Sequence, residues 1–172
     1  LNIEKKYYDL AKLILPKGPI YIGFSPGAGD DSKKWPLEKF IKLAKIQIKN
    51  NRVPVFFLGP KEKNLLLKIK KEIPTALFPE WTDIAVNSGI KGPLLAISLA
   101  KQIHIAVAND SGTGHMLAVG GTKLISLFSK HNPVKYAPNA EKLIIIDSKK
   151  WGGINPDLIP IKEVEKSINS LL

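Results

Sequence analysis

The sequence predicts an α/β domain in which a parallel β-sheet lies between two layers of helices. Three observations predict this class. Short apolar stretches of five or six residues alternate with longer segments in which apolar residues recur every three or four positions. The short stretches are almost wholly apolar, which is typical of strands buried on both faces of a parallel sheet. Gly, Pro, Asp and Ser gather between these segments, where turns are expected.

Composition limits the classes of protein that fit. The 172 residues, 44% of them hydrophobic and 24% charged, are enough for one soluble domain with its own core. The absence of Cys excludes disulfides, thiolate metal sites and a Cys nucleophile, and is consistent with a cytoplasmic protein. No apolar stretch is long enough to span a membrane, and no signal peptide is visible. Because the first residue is Leu1, we expect the chain to be part of something longer.

The chain is strongly basic, with a net charge of +11 that is carried almost entirely by Lys, since Arg52 is its single Arg. The lysines are spread over helix-like segments, which is typical of solvated helix faces. A basic surface can also attract phosphate groups of nucleotides, nucleic acids or lipid headgroups. Sequence-specific nucleic-acid readers rely on Arg for base contacts. We therefore expect no nucleic-acid partner.

The first half of the chain predicts three helices, two strands and one polar loop. In order, these are a helix over 3–15, a strand over 20–25, a Gly-rich loop over 26–35, a helix over 36–49, a strand over 53–58 and a helix over 62–73. Pro36 is expected to be the first residue of the second helix. Phe40, Leu43, Ala44 and Ile48 are expected to face the core from that helix. The first helix is assigned as an N-terminal linker over 1–19, and the main domain is assigned to 20–172.

The second half continues the alternation of strands and helices. In order, we expect a short strand over 75–78, an irregular segment over 79–91, a helix over 93–103, strands over 104–109 and 123–128 with a short helix over 114–120 between them, a strand over 143–147 and a closing helix over 161–172. Ligands of parallel sheets lie beyond the carboxyl ends of the strands. The segments at that edge are 25–35, 59–63, 78–84, 109–115 and 129–136.

The segment NDSGTGH, which follows a predicted strand and opens a helix, is the first candidate binding element. Asp110 or Ser111 can cap the helix, while Gly112 and Gly114 allow a ligand to approach the main chain. The free amide groups at such a helix end form an anion site. The alternative is a capped turn without a ligand, with His115 buried. A hydrolase triad is disfavoured, because side chains within one turn do not converge in relay geometry.

The Gly-rich loop SPGAGDDSKKW is the second candidate, in which the glycines allow a backbone anion nest and Lys33 or Lys34 supplies charge. Its spacing fits neither a P-loop nor a dinucleotide-binding fingerprint. Its acidic pair, Asp30 and Asp31, fits a turn or cap better than a metal site. His residues elsewhere are isolated from one another, so we expect no zinc site. The three Trp residues, at 35, 81 and 151, are expected to be packing residues.

Several segments, in this order, resemble the C-terminal half of family 9 glycosyltransferases, the lipopolysaccharide heptosyltransferases. The segments are FSPGA (24–28), KKWPLEKFIKLA (33–44), VFFLGPKE (55–62) and NDSGTGHMLAVGGTKLISLF (109–128). The resemblance covers about residues 20–147, and its Asp-Ser/Thr-Gly-x-x-His element is specific in this context. The chain departs from the family pattern at Gly114, where a bulkier residue is common, at Lys123, where Pro is usual, and at Ser129, where Gly is usual.

The resemblance implies a Rossmann-like domain that forms one half of a GT-B glycosyltransferase and binds a nucleotide-diphospho-sugar such as ADP-heptose. The implied donor-binding residues are Ser25, Gly27, Gly59, Glu62, Ser111, Gly112 and Thr113, and the implied catalytic residues are Lys33, Asp110 and His115. Asp110 would bind the sugar hydroxyls, Lys33 would contact phosphate or sugar oxygens of the donor, and His115 would position or stabilise the diphosphate leaving group. Glu62, with Lys61 as the alternative match, would bind the ribose.

The resemblance also implies inverting, metal-independent transfer to a lipopolysaccharide-type acceptor, without a cofactor and in the cytoplasm or at the inner face of its membrane, with peripheral membrane contact. In the family the acceptor-binding domain precedes this region and supplies the general base. Only about 20 residues precede the first strand here, so we expect the chain alone to bind donor and to transfer poorly. The alternative is a non-catalytic nucleotide-binding module.

Overall fold

The computed structural model describes residues 1–172 and contains five β-strands and eight α-helices. The strands are β1 (Tyr21–Ser25), β2 (Val53–Phe56), β3 (Ile105–Asn109), β4 (Lys123–Phe128) and β5 (Leu143–Asp147). The helices are α1 (Lys5–Ile14), α2 (Leu37–Lys49), α3 (Lys63–Glu72), α4 (Asp83–Ser88), α5 (Pro93–Ala100), α6 (Gly112–Val119), α7 (Pro133–Tyr136) and α8 (Ile161–Leu171). Short 3₁₀ turns cover Asp31–Lys33, Pro60–Glu62, Pro79–Trp81, Ser148–Trp151 and Pro156–Leu158.

All five strands form one parallel sheet in the order β2-β1-β3-β4-β5. The predicted fold class is therefore confirmed. Strand order reverses between β1 and β3, which pair with Ile22 opposite Ile105 and Ser25 opposite Ala108. In a sheet of this order a crevice opens at that switch point, beyond the carboxyl ends of the two strands. The loops that follow β1 and β3 therefore flank the crevice.

The sheet separates two hydrophobic cores, which makes the domain three-layered. Alternate residues along each strand face opposite sides. On β3, Val107 faces the core shared with α2, α3 and α8, whereas Ala106 and Ala108 face the core shared with α1, α5 and α6. The two alanines leave little space between the sheet and the helices on their side, so those helices pack close to it.

Helix α5 is apolar on all sides, and its residues from Leu95 to Ala100 are buried. The sheet covers one side of it, and α1 covers another through Leu10 and Ala11. The first helix thus packs onto the core of the same domain. Such all-round burial explains why α5 carries no polar stripe.

Gly120, which directly follows α6, packs directly against α5. A methyl group built at this position would overlap the Cβ atom of Ala100 and lie 2.5 Å from the carbonyl oxygen of Ile97. A real Cβ atom does not make contacts this short, so only Gly fits here. The small residue thus sets the distance between the two helices.

Several sequence predictions are wrong in detail. In α2, Ile48 is exposed and Gln47 is buried in its place. Pro36 precedes the helix with an extended backbone and is not its first residue. Residues 75–78 form no strand, because only Leu77 makes a bridge, to Val55. The segment 79–91, expected to be irregular, contains α4.

Lysine side chains on the helix surfaces pair with neighbouring carboxylates. Between α2 and α3, Lys45 lies 2.9 Å from Glu72, and Lys68 lies 3.0 Å from Glu38. These exposed pairs contribute little stability, since solvent screens them. None of the helices combines the length and the apolar character that crossing a bilayer would demand.

Candidate functional site

The loops after β1 and β3 meet at the switch point through Lys33 and Asp110. The Nζ atom of Lys33 lies 3.6 Å from Oδ2 of Asp110, and both side chains are largely buried, with exposed fractions of 16% and 10%. Lys34, the alternative candidate, instead pairs with the exposed Asp31 at 2.7 Å. The structure therefore brings together two of the three residues predicted to be catalytic, and Lys33, rather than Lys34, is the lysine beside Asp110.

Asn109, the last residue of β3, fastens the loop after β1 to the sheet. Its Oδ1 atom accepts a hydrogen bond of 3.0 Å from the backbone amide of Trp35, and its Nδ2 atom donates one of 2.9 Å to the carbonyl of Pro26. The loop is thus held at both ends by one fully buried side chain. Trp35 packs edge-on against Phe40, as its predicted packing role requires, and donates from Nε1 to the carbonyl of Ile159.

The N-terminus of α6 opens into the same crevice. Ser111 caps the helix, since its Oγ accepts a hydrogen bond from the amide of Gly114. The amides of Gly112 and Thr113, in the first turn, have no partner within the helix. Amides in this position, at the positive end of the helix, attract anions such as phosphate. His115 is exposed beside them, not buried as the ligand-free alternative expected.

Gly114 is buried in the first turn of α6, yet there is space for a methyl group. A Cβ atom there would lie 3.4 Å from the Cβ of Ala108 and 3.4 Å from the carbonyl oxygen of Asn109, which are ordinary contact distances. We expect Gly114→Ala to leave stability unchanged or to raise it by about 0.5 kcal/mol, because Ala favours helix over Gly. Urea unfolding followed by circular dichroism measures this. A loss above about 1 kcal/mol would contradict it.

His131, which follows β4, also belongs to the site, although the sequence suggested that it is isolated. Its Nδ1 atom lies 2.6 Å from Oδ2 of Asp110, and its ring packs on Tyr136 with 4.8 Å between ring centres. Asp110 thus has two basic neighbours, His131 and Lys33. The sequence signal that could have placed His131 in the site was its position, because residues 129–136 follow a strand at the same edge of the sheet. His104, by contrast, lies at the opposite edge and accepts from the Tyr21 amide.

Glu62 and the glycines around it form the outer wall of the crevice. The Oε2 atom of Glu62 accepts a hydrogen bond of 2.7 Å from the amide of Gly59. Its Oε1 atom fills the place where a side chain at Gly27 would begin. The carboxylate is therefore already engaged by the main chain, with Lys61 exposed beside it. Ser25 is fully buried under the loop, and its hydroxyl group has no hydrogen-bond partner.

A cavity of about 550 Å³ lies beyond the end of β2, next to Gly59. Its walls are mostly apolar, and Trp81, Glu80 and Lys91 also line it. The Nε1 atom of Trp81 donates to the carbonyl of Leu58, so the indole ring is held in place. We name this space the β2 cavity. Sequence reasoning assigned Trp81 to packing only and did not identify Glu80.

The arrangement can bind an anion and a polyhydroxyl group side by side. The free amides of α6 and the ammonium group of Lys33 suit phosphate oxygens, and the Asp110 carboxylate suits hydroxyl donors. The acidic pair of the loop is used elsewhere, since Asp30 accepts from the Ser32 amide and Asp31 pairs with Lys34. No three His, Asp or Glu side chains cluster as metal ligands.

Comparison with known proteins gives concordant matches. Residues 2–156 match the model of a family described as glycosyltransferase family 9 (heptosyltransferase). Lipooligosaccharide heptosyltransferase 2 of Haemophilus influenzae is 30% identical over 163 residues, which cover 94% of this chain and 44% of that protein.

Two solved structures share the fold. A glycosyltransferase family 9 protein from Veillonella parvula superposes with a TM-score of 0.82 at 20% identity, over 99% of this chain and 53% of that one. The Escherichia coli ADP-heptose lipopolysaccharide heptosyltransferase II gives a TM-score of 0.77 at 22% identity, over 99% and 52%. The chain thus spans about half the length of the relatives it matches.

Proposed function

This chain belongs to glycosyltransferase family 9, and on that basis we propose that it is the donor-binding domain of a glycosyltransferase, one half of a GT-B enzyme. The observation that carries the proposal is the meeting of Lys33, Asp110 and the α6 N-terminus at the switch point of the sheet. This is where a doubly wound sheet binds nucleotides. The partner of the site is then a nucleoside diphosphate sugar.

The proposed donor lies across the carboxyl ends of three strands. Its diphosphate is bound by the amides of Gly112 and Thr113 and by Lys33, where the charge is favourable. Its nucleoside points outward to the β2 cavity, because that space is apolar and has a fixed aromatic ring. Its sugar then faces the other way, toward Asp110 and His131. The polar and apolar ends of the site thus match the two ends of a sugar nucleotide.

ADP-heptose is the proposed donor and a lipopolysaccharide-type glycan the proposed acceptor. The relatives named above support both, since one is a lipooligosaccharide heptosyltransferase and another an ADP-heptose lipopolysaccharide heptosyltransferase. A cytoplasmic location with peripheral contact to the inner face of the membrane follows from the same proposal, because such acceptors are carried on lipid.

The proposed transfer inverts the anomeric carbon and uses no metal. An acceptor hydroxyl attacks that carbon from the face opposite the diphosphate and gives its proton to a general base of the acceptor-binding domain. The bond to the diphosphate oxygen breaks as the new bond forms. Negative charge then builds up on the leaving diphosphate. The α6 amides, Lys33 and His115 stabilise this charge, which is the role of fixed donors in such reactions. Asp110 holds the sugar hydroxyls during the step.

Asp110→Asn tests the proposal. We expect ADP-heptose to bind the variant about tenfold more weakly relative to wild type, whereas ADP loses threefold or less, because only the sugar contacts the carboxylate. A charge-assisted hydrogen bond of about 1.5 kcal/mol has this effect. Isothermal titration calorimetry with both ligands measures the two losses.

The matched control is Asp9→Asn, which changes an exposed Asp of α1 that pairs with Lys5 on the same helix. It should leave both affinities unchanged. Equal losses of ADP and ADP-heptose in Asp110→Asn would limit Asp110 to shaping the turn. A folded wild-type chain that binds neither ligand would refute the donor-binding role itself.

A further inference from the structure

Glu80 is an acidic side chain in an otherwise mostly apolar cavity. It lies in the turn Pro79–Trp81, between β2 and α4, and lines the β2 cavity beside Trp81. The charged groups near it are Glu62, Lys91, which also lines the cavity, and Asp83, which is exposed in the first turn of α4. A carboxyl group placed here faces whatever fills the cavity.

The carboxyl group of Glu80 keeps its proton up to a pH that is unusually high for a Glu side chain. Burial in apolar surroundings raises the pKa of the Glu80 carboxyl to about 7, and the nearby negative charge of Glu62 raises it further in the same direction. Below that pH the group is a neutral acid with one hydrogen-bond donor and one acceptor. Above it, the group is a carboxylate that only accepts.

We propose that Glu80 selects the base of the bound nucleotide by pairing its neutral carboxyl group with the edge of adenine. The inference rests on the proposed donor-binding function, which places the nucleoside in the β2 cavity. Adenine presents the N6 amino donor beside the N7 acceptor, the same pattern that a Gln amide reads in nucleic acids. A neutral carboxyl group carries that complementary pair. Guanine offers two acceptors on the corresponding edge and leaves the carbonyl of Glu80 unpaired.

The inference predicts adenine binding that depends on pH through Glu80. With half-protonation near pH 7, the neutral form falls from about nine-tenths of the protein at pH 6 to about one-tenth at pH 8. ADP should therefore bind wild type about tenfold more weakly at pH 8 than at pH 6. Glu80→Gln carries a permanent donor and acceptor, so it should bind ADP at pH 8 about tenfold more tightly than wild type does.

The experiment is calorimetric titration of the folded chain with ADP and with GDP at pH 6 and pH 8, for wild type, Glu80→Gln and the control Glu141→Gln, which removes an exposed carboxylate outside the cavity. Titration of the ADP phosphates is common to all three proteins and cancels in the comparison. The control should follow wild type. GDP should bind wild type at least tenfold more weakly than ADP at pH 6.

Unfolding without ligand provides an independent readout. Since the folded state holds the Glu80 proton more tightly than the unfolded state, stability should fall as pH rises from 4.5 to 7. This part of the fall should be absent in Glu80→Gln. Equal pH dependence of ADP binding in wild type and Glu80→Gln, or equal affinity for ADP and GDP, would overturn the inference and leave the proposed function intact. Absence of any ADP binding would overturn both.

Discussion

Gly120→Ala should lower the free energy of unfolding by about 3 kcal/mol, the largest loss expected from the addition of one methyl group to this chain. The new Cβ atom would overlap the Ala100 side chain and press on the Ile97 carbonyl oxygen. Both groups belong to α5, which is itself packed between α1 and the sheet. The helices must separate, and overpacking of this kind costs about 1–3 kcal/mol or more. Urea denaturation measures the loss as a lower denaturation midpoint with an unchanged m-value.

Gly114→Ala is the matched control, since it adds the same methyl group at the other end of α6, where there is space for it. Comparing the two variants separates the cost of forcing α5 and α6 apart from the difference in helix propensity between Gly and Ala. If Gly120→Ala lost less than about 1 kcal/mol, α5 and α6 would have to be mobile relative to each other, and the packing described here would be wrong.

Asn109→Leu should destabilise the domain by about 3 kcal/mol and also weaken ADP binding at least tenfold. The substitution keeps the branching and the number of heavy atoms of the side chain but leaves the buried amide of Trp35 and carbonyl of Pro26 without partners. Each buried group left unpaired costs about 1–3 kcal/mol. The loop that carries Lys33 is then no longer fixed against β3. Thermal unfolding and calorimetry measure the two effects.

Asn169→Leu serves as the control, because Asn169 is exposed on α8 and accepts a single side-chain hydrogen bond, from Arg52, at the edge of the sheet opposite the crevice. It should cost about 1 kcal/mol or less and leave ADP binding unchanged. Loss of stability in Asn109→Leu with unaltered ADP affinity would show that the loop holds its shape without Asn109.

The sheet could be predicted because its strands are apolar runs with clear ends, and the parallel class follows from burial on both faces. Helix α4 was missed although Thr82 caps it and Gly89 ends it with a positive φ of 70°. Its apolar residues Ile84 and Val86 are exposed, so it has no buried stripe for a pattern to reveal. Ile48 was predicted to face the core because it is apolar. The buried stripe of α2 instead continues through Gln47, which has the helical spacing.

The meeting of Lys33 and Asp110 could be expected, since both follow strands at one edge of a parallel sheet. His131 could not be paired with Asp110 from its distance along the chain. Strands β3 and β4 lie side by side with Asn109 opposite Leu127, and this register brings the residues after them together. Glu80 was not identified for a similar reason. Its burial depends on a turn and a helix that the apolar pattern of the sequence does not predict.

The bond between Asn109 and Pro26 joins positions that are 83 residues apart. Closing so long a loop has a large entropic cost, and contacts of this range slow folding. The crevice at β1 and β3 therefore takes shape only when the two halves of the chain have come together, and it is lost when they separate. A nucleotide that binds in this crevice binds only the folded chain, in which the two halves are in contact. It therefore opposes unfolding and lengthens the lifetime of the folded protein.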